Sequence, residues 1–190
     1  PWLRELSVGC PELMGTRSYW GMTPLPHKRE RTPGGIPIGM NDDREYFSPL
    51  ARFALRRTRA VRSRVRRVAD PSAWRRQTIK ELLDCGDLGM ISVWHPTFLI
   101  AIMEELAQNL EAILNEIKPA RRAAILSSLD EAGDLVGEAV WPRLRLLSCY
   151  GEGPSAELIP NLRAWFPKAH IQPKGLIATE GIVSFPLWGG

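Results

Sequence analysis

Apolar residues recur at helical spacing through the middle of the chain. The clearest stripe covers residues 99–117, where apolar side chains return every three or four positions and Pro96 suits the first helical turn. A shorter pattern predicts a helix over residues 73–84. Residues 120–139 predict another helix, in which Gly133 is a point where the helix can break. Helices therefore dominate the predicted structure of the central part of the chain.

Short apolar runs of strand type lie between and after these helices. Three of them cover residues 90–94, 144–150 and 175–179, and a helix predicted over residues 155–166 separates the last two. Residues 1–48 are rich in Pro, Gly and aromatic side chains and give no firm element. Strands that alternate with helices are typical of α/β proteins. The predicted fold class is therefore α/β, with a largely parallel sheet and flanking helices.

Arginines set one further predicted helix apart from the others. Apolar residues at helical spacing from Leu50 to Val68 enclose eight arginines between Arg52 and Arg67. Two interpretations stay open, a solvated helix face and a surface that binds nucleic acid. We favour the solvated face, because aromatic side chains do not interleave there and acidic residues elsewhere nearly balance the charge.

Length and composition suit one domain or a large part of one. The chain has 190 residues, of which 44% are hydrophobic, enough to bury a core. It begins at Pro1 and stops at Gly190, directly after the apolar run 182–188. A strand pattern that ends without a partner is typical of an interrupted domain. We therefore expect this chain to be an internal piece of a longer protein.

Charge and cysteine content favour a cytoplasmic protein that handles small anions. The formal net charge of +4 suits anionic small ligands and is too low to indicate nucleic-acid binding. Cys10, Cys85 and Cys149 lie far apart, which favours reduced thiols. His27 and His170 have no Cys or His at ligand spacing, so we expect no zinc site. No apolar stretch reaches the ~20 residues that span a bilayer.

The last fifty residues contain the most informative arrangement. If the strand predicted at 144–150 and the strand predicted at 175–179 are joined by a helical crossover, they run parallel. Their carboxyl ends then meet at one edge of the sheet. This would bring the turn 151–154 close to Thr179 and Glu180, in the crevice where open α/β sheets bind ligands.

The residue types at this edge suit a magnesium-bound nucleotide. Gly151 and Gly153 lack a Cβ, so their backbone can approach a flat base closely. Thr179 offers a hydroxyl group to a phosphate oxygen, and Glu180 offers a carboxylate of the kind that Mg²⁺ accepts. An ordinary strand end with a solvated glutamate remains an alternative from the residues alone.

Several motifs in matching order resemble one enzyme family. They are Gly34-Gly35-Ile36-Pro37-Ile38-Gly39, Trp74-Arg75-Arg76, Ile91-Ser92-Val93-Trp94-His95-Pro96-Thr97-Phe98-Leu99, Ser148-Cys149-Tyr150-Gly151-Glu152-Gly153, Ile159-Pro160-Asn161-Leu162, Gly175-Leu176-Ile177-Ala178-Thr179-Glu180-Gly181 and Phe185-Pro186-Leu187. In order and spacing they resemble the bacterial branch of the Gretchen Hagen (auxin-responsive promoter) family of acyl acid amido synthetases. That family belongs to the luciferase-like adenylate-forming superfamily.

The resemblance implies a two-step ligase reaction that uses ATP and Mg²⁺. A carboxylic acid is activated to an acyl-adenylate with release of pyrophosphate, and the amine of an amino acid then attacks it. Glu180 would hold Mg²⁺, and Thr179 would contact the α-phosphate; these two residues are the implied catalytic pair. The implied nucleotide contacts are Gly151, Glu152, Gly153, Ala178 and Thr179. The implied acyl pocket consists of Val93, Trp94, Phe98 and Ile102.

The chain departs from the family pattern in two ways. Leu176 stands where plant members carry a Tyr, so an aromatic stacking role there is in doubt. The Ser/Thr/Gly-rich phosphate loop is missing, and residues 34–39 lack the Lys and hydroxyl groups that such a loop needs. We therefore expect residues 1–190 to form an incomplete large N-terminal adenylating domain, without the phosphate loop and the C-terminal lid. This chain alone is then expected to be inactive.

Two other functions remain open at this point. One is a different adenylate-forming activity, of the acid–thiol ligase type, and the other is a non-catalytic binding module that uses the arginine-rich helix. His95 could act as a general base, but we favour a role in capping the helix that follows it. Cys149 could act as a nucleophile, but its apolar strand favours a buried, inert thiol. The expected partners are a small carboxylic acid and an amino acid, without nucleic acid or membrane.

Overall fold

A four-stranded parallel sheet forms the centre of the molecule. This computed structural model describes residues 2–21, 32–35, 57–175, 177–178 and 181–188. The strands are β1 (Arg17–Trp20), β2 (Leu88–Ser92), β3 (Leu146–Cys149) and β4 (His170–Pro173). They lie side by side in the order β1-β2-β3-β4, and every neighbouring pair is parallel. The predicted α/β class with a parallel sheet and flanking helices is confirmed.

Helices connect the strands and cover the sheet. The α-helices are α1 (Trp2–Gly9), α2 (Pro71–Leu83), α3 (Pro96–Leu114), α4 (Pro119–Ala132), α5 (Gly137–Val140) and α6 (Ile159–Trp165). Short 3₁₀ helices cover Pro11–Leu13, Ser63–Arg67 and Gly153–Leu158, and a small antiparallel hairpin joins β5 (Ile177–Ala178) to β6 (Gly181–Ile182). Within the described part of the chain, no helix is both long enough and apolar enough to cross a membrane.

The helix boundaries follow the local chemistry of the sequence. Asp70 precedes α2, and its carboxylate accepts a hydrogen bond of 2.6 Å from the backbone N–H of Ala73. At the end of α4, Gly133 adopts a left-handed conformation with φ 78°, which ends the helix where the sequence predicts a break. The helices predicted over residues 73–84, along the stripe 99–117 and over residues 120–139 are therefore confirmed, with shifted ends.

The two faces of the sheet carry different side chains. Because side chains alternate along a strand, Ile91, Leu147 and Ile171 point to one face, where they join the main apolar core with α2, α3 and α6. Met90 and Leu146 point to the opposite face and pack in a second, smaller apolar cluster with α1. The sheet is thus covered on both sides, as is usual for parallel strands.

The strand that pairs with β3 was predicted at the wrong place. Residues 175–179 were expected to form it, but β3 pairs with β4, and Leu147 lies opposite Ile171. The strand β5 instead pairs antiparallel with β6, Ala178 lying opposite Gly181. The reason is physical: the strand β4 alternates polar and apolar residues, so it lacks the continuous apolar run that marks a parallel strand.

The predicted arginine-rich helix is wrong in its described part. The helical conformation ends at Arg57, and the next residues run beside β1, where Ser18 donates a backbone hydrogen bond of 2.6 Å to Thr58 and accepts one of 2.9 Å from Ala60. A 3₁₀ helix over Ser63–Arg67 follows. Pairing with the exposed edge of β1 satisfies backbone groups that a helix would leave there unpaired. Residues 50–56 lie outside the described residues.

Candidate functional site

Three parallel strands end close together at the carboxyl edge of the sheet. Just beyond β2, the backbone N–H of Val93 donates to Ser148 O at 2.9 Å. Just beyond β3, the backbone N–H of Tyr150 donates to Trp94 O at 2.9 Å, and that of Lys174 donates to Cys149 O at the same distance. These bonds continue the ladder past the ends of the strands. They fix the first residues of the three following loops relative to one another.

An open cleft of about 450 Å³ lies at this edge, between the end of β2 and the helices α2 and α3. The four residues implied to form an acyl pocket all line it: Val93, Trp94, Phe98 and Ile102. Val93 and Ile102 are buried at its base, whereas 53% of the Trp94 surface is exposed. The structure therefore brings these four residues together at one cleft, although they come from a strand end and a helix.

Aromatic contacts and one cation define the walls of this cleft. The ring of Phe98 lies 5.3 Å from the ring of Trp74 and 6.4 Å from that of Tyr19, centroid to centroid. Arg75 also lines the cleft, and its guanidinium lies 3.5 Å from a carboxylate oxygen of Glu105. An apolar wall with a guanidinium nearby can hold a flat apolar body that carries an acid group.

The glycine-rich bend after β3 has its own structural reasons. A Cβ at Gly151 would lie 3.3 Å from Pro173 Cγ, so the side chain of Pro173 occupies the space beside this backbone. Gly153 has φ 56°, a left-handed conformation that favours glycine. Glu152 is exposed and precedes the 3₁₀ helix without capping it. Packing and conformation therefore account for both glycines before any nucleotide is considered.

The remaining residues predicted for nucleotide and metal are only partly described. The backbone of Ala178 belongs to β5, where it pairs with Gly181 of β6. Thr179 and Glu180 lie outside the described residues, and so does Leu176. Their assignments to phosphate, Mg²⁺ and catalysis stay predictions.

A row of polar side chains crosses the sheet near its carboxyl edge. Register places Trp20, Ser92, Ser148 and Gln172 opposite one another on the four strands, on the face away from the main core. Ser92, Ser148 and Gln172, which we call the polar row, are 3%, 1% and 2% exposed. Gln172 Nε2 donates to Leu187 O at 3.3 Å, whereas Ser148 Oγ has no hydrogen-bond partner within the described residues.

Lys174 follows β4 directly and reaches over the polar row. Its Nζ donates to Ser92 Oγ at 2.7 Å and lies 5.6 Å from the ring centroid of Trp94. The ring of Trp94 in turn lies 5.7 Å from that of Tyr150. Burial lowers the pKa of Lys174 from its usual 10.5, and a weaker interaction with Cys149 raises it. Within the described part of the chain, no carboxylate pairs with this ammonium group.

Sequence reasoning missed Lys174 and the polar row. The four residues come from three strands that lie far apart along the chain, and only the strand register brings them together. One local signal exists at Lys174, a single lysine between Pro173 and Gly175 directly before the family-like motif. Because the sequence predicts the strand at residues 175–179, Lys174 falls just outside the predicted sheet.

Two alternatives for single residues are resolved by the contacts. His95 Nδ1 accepts from the backbone N–H of Thr97 at 3.3 Å, which confirms its role as the cap of α3. Nδ1 also lies 2.8 Å from the hydroxyl oxygen of Thr97. Cys149 is 1% exposed, and burial raises its pKa to about 11. It is therefore a buried, protonated thiol at neutral pH, as the apolar strand predicts.

Comparison with known proteins identifies the fold. The arrangement of the sheet and its helices is similar to that of two solved acyl acid amido synthetase structures. The chain matches the solved structure titled "GH3.15 acyl acid amido synthetase" with a TM-score of 0.66 and 10% identity, over 97% of this chain and 37% of that chain. It also matches "AtGH3.15 acyl acid amido synthetase in complex with 2,4-DB" with a TM-score of 0.66 and 12% identity, over 93% of this chain and 35% of that chain.

These matches concern the fold of the chain over part of the length of the solved structures. No family model and no curated protein sequence matches the chain. The chain spans little more than a third of the length of the two solved structures, 37% and 35%. At 10% and 12% identity the likeness shows the fold.

Proposed function

We propose that this chain is part of an ATP-dependent ligase that adenylates a carboxylic acid and joins it to the amine of an amino acid. One observation carries the proposal: the four residues implied to form the acyl pocket line one cleft at the carboxyl edge of a parallel sheet. That edge is where open α/β sheets bind ligands. The fold shared with acyl acid amido synthetases along 97% of the chain supports the same conclusion.

The proposed reaction has two displacements. A carboxylate oxygen attacks the α-phosphorus of ATP, the bond from that phosphorus to pyrophosphate breaks, and a mixed acyl–phosphate anhydride forms. The amine nitrogen then attacks the acyl carbon, the carbon–oxygen bond to AMP breaks, and a proton leaves the nitrogen. The cleft would hold the acid beside the nucleotide, which lowers the entropy cost of bringing the two together.

The nucleotide and its metal would be held at the same edge. We assign Gly151, Glu152, Gly153, Ala178 and Thr179 to the nucleotide. Glu180 would hold Mg²⁺, which takes one or two carboxylates and completes its shell with water and phosphate oxygens. Within the described residues, no group of three or more His, Cys, Asp or Glu could form a protein-only metal site. A single glutamate that shares the ion with phosphates fits that situation. The bound ion would spread the charge of the phosphates.

The boundaries of the chain also enter the proposal. We assign residues 1–190 to an incomplete large N-terminal adenylating domain of the bacterial branch of the family. The phosphate loop and the C-terminal lid would then belong to other parts of the longer protein. The chain's span of 37% of a solved amido synthetase is consistent with this division. Three buried free cysteines support a cytoplasmic location. This chain alone should release no pyrophosphate.

The test compares Glu180→Ala with a matched control in the full-length protein. Pyrophosphate release is followed with ATP, Mg²⁺ and panels of carboxylic acids and amino acids, and mass spectrometry identifies the product. We expect Glu180→Ala to lower the rate by about a hundredfold or more. Glu157→Ala, a change at an exposed glutamate of the 3₁₀ helix, should leave the rate unchanged.

Three outcomes would contradict the proposal in different ways. Equal rates for wild type and Glu180→Ala would remove this residue from the chemistry. A thioester product with no amide would favour an acid–thiol ligase. A full-length protein that binds no ATP would favour a non-catalytic binding module.

A further inference from the structure

We propose that Lys174 is an oxyanion-binding residue, whose ammonium group takes a carboxylate or phosphate oxygen of the ligand at the carboxyl edge of the sheet. Its Nζ lies where the polar row meets Trp94, the exposed aromatic residue of the edge cleft. The inference rests on the proposed function, since it assumes that an acid and a nucleotide bind there.

The position of Lys174 is fixed by three contacts. Its backbone N–H donates to Cys149 O at 2.9 Å, which extends the β3–β4 ladder by one residue. Its side chain then crosses the end of β3 to reach Ser92 Oγ at 2.7 Å. The ring of Trp94 lies on the path of the side chain, with its centroid 5.6 Å from Nζ. A lysine held at both its backbone and its tip loses little further freedom when a ligand binds.

The surroundings of the Lys174 ammonium group favour the binding of an anion. It is half-buried, and removing a charge from water is unfavourable unless a charged or polar partner compensates. An ammonium group has three N–H donors, and within the described residues one hydroxyl group, that of Ser92, accepts from it. A structural lysine at such a place is usually paired with a carboxylate. Here the described part of the chain supplies none.

A second unsatisfied group lies beside it in the same row. Ser148 is opposite Ser92 on the neighbouring strand, and its hydroxyl oxygen has no hydrogen-bond partner among the described residues although it is 1% exposed. Buried polar groups in native proteins nearly always have a partner. Within the part of the chain that the structure describes, the Ser148 hydroxyl group has no hydrogen-bond partner and the Lys174 ammonium group has no carboxylate beside it. An oxyanion with its solvent would satisfy both groups.

The atom that Lys174 would bind is a negatively charged oxygen. In the proposed reaction it belongs either to the carboxylate of the acyl acid or to a phosphate of ATP. A charge-assisted hydrogen bond to such an oxygen is about twice as strong as a neutral one. Its loss should therefore weaken binding of a charged ligand and leave a neutral analogue unaffected.

Paired charged and neutral ligands test this in the full-length protein. Calorimetry measures the Kd of ATP against adenosine and of benzoate against benzamide, for wild type, Lys174→Met and Lys174→Arg. We expect Lys174→Met to weaken one charged ligand by about ten- to a hundredfold and to leave both neutral ligands within a factor of two. Lys174→Arg should recover part of the loss. Lys168→Met, a change at an exposed lysine, is the control.

Amine labelling of the wild-type protein gives a second readout that needs no variant. Lysines are acetylated with limiting reagent, and mass spectrometry reports the extent at each position with and without ATP, benzoate or pyrophosphate. Lys174 should be protected at least about threefold by the charged ligand that it binds, while Lys168 stays unchanged. Protection by ATP and pyrophosphate assigns Lys174 to phosphate, and protection by benzoate assigns it to the carboxylate.

The outcomes separate this inference from the proposed function. If ATP binds wild type and Lys174→Met equally and neither charged ligand protects Lys174, the inference is overturned while the nucleotide site stands. If the wild-type protein binds neither ATP nor acid, the proposed function fails and the inference fails with it. If both members of a ligand pair weaken together, Lys174 supports the structure of the site without recognising charge, which also overturns the inference.

Discussion

At the carboxyl edge of the sheet, the two faces of the same three strands differ in chemistry. On one face Ile91, Leu147 and Ile171 lie in register inside the main apolar core. On the opposite face, one residue further along each strand, the polar row lies in the same register. Both rows are buried, so exposure to solvent does not explain the difference. Stability alone explains why Ile91, Leu147 and Ile171, which we call the apolar row, are apolar. Stability does not explain why the polar row is polar.

The comparison indicates where this fold gives up stability for function. Burying apolar side chains contributes about 25 cal/mol for each Å² removed from water. Burying a hydroxyl group that has no partner among the described residues, as at Ser148, or an ammonium group that has no carboxylate beside it among those residues, as at Lys174, opposes folding. Proteins tolerate such groups mainly where a ligand satisfies them. We therefore expect a ligand to bind where Lys174 meets the polar row.

The largest expected effect is at the apolar row. Leu147→Ala should lower the free energy of unfolding by about 2–5 kcal/mol, because it leaves a cavity in a fully buried position between β2 and β4. Urea unfolding followed by circular dichroism measures the change. Leu126→Ala, at a 39% exposed position on α4, is the control and should change the stability by less than about 0.5 kcal/mol. If Leu147→Ala lowered the free energy of unfolding by less than about 1 kcal/mol, the contrast between a stabilising apolar row and the polar row would not hold.

Thiol reactivity probes the same apolar face. Burial raises the pKa of Cys149 from its usual 9.0 to about 11, so at pH 8 the thiolate fraction should fall about a hundredfold. Reaction with iodoacetamide in the native protein should be slower than in urea by at least that factor. It should accelerate as the pH rises towards 11. Fast alkylation of the native thiol at pH 8 would show that this side of the sheet opens to solvent.

The charge at Lys174 should lower stability at neutral pH. Its pKa in the folded protein lies below the usual 10.5, mainly because burial disfavours the charged form. The unfolded chain therefore holds this proton more tightly, and stability should rise with pH between the folded pKa and 10.5. Lys174→Met should stabilise the protein at pH 7 by about 0.5–1 kcal/mol.

Thermal unfolding from pH 7 to pH 10.5 checks both parts of this expectation. Subtracting the curve of Lys174→Met from that of wild type gives the contribution of Lys174 together with its weaker interaction with Cys149. The advantage of the variant should shrink as the pH rises. A variant that is less stable than wild type at pH 7 would mean that the ammonium group already has its partner inside the protein.

The smallest effect is expected within the polar row. Ser148→Ala removes a hydroxyl group that has no partner among the described residues, so the free energy of unfolding should change by less than about 0.5 kcal/mol. Ser92→Ala removes the acceptor of Lys174 and should cost about 1 kcal/mol. Comparing the two by urea unfolding sharpens the distinction between paired and unpaired groups. A large loss of stability in Ser148→Ala would show that this hydroxyl group has a hydrogen-bond partner in the folded protein.

Much of the fold could be predicted because apolar periodicity is a local signal. The helix α3 carries apolar residues at regular spacing along its length and was predicted directly. The strands β1 and β4 were missed because half of their residues are polar and point towards the polar row or its flank. Helix α1 was missed because its 8 residues make only about two turns, which is shorter than the stretch over which a helical period can be recognised.

The residues of the candidate site also differ in how readily the sequence predicts them. Val93, Trp94, Phe98 and Ile102 lie within ten positions of one another, so a motif in the sequence could identify them together, and they do line one cleft. Ser92, Ser148, Gln172 and Lys174 are brought together by strand register over a separation of about eighty residues. The spacing of these residues along the sequence does not indicate which strands are neighbours or how their residues pair. Contacts of this kind become visible only once the strands are ordered.

The contact between Ser18 and the arginine-containing segment bears on how copies of this protein behave at high concentration. An open outer strand offers a row of unpaired N–H and C=O groups on which another chain can add. Here Thr58 and Ala60 occupy part of that row on β1, and the adjoining surface carries Arg57, Arg59 and Arg62. Cations at a sheet margin repel an identical margin approaching from outside. We therefore expect the arginines beside β1 to disfavour strand-to-strand stacking between copies of this chain.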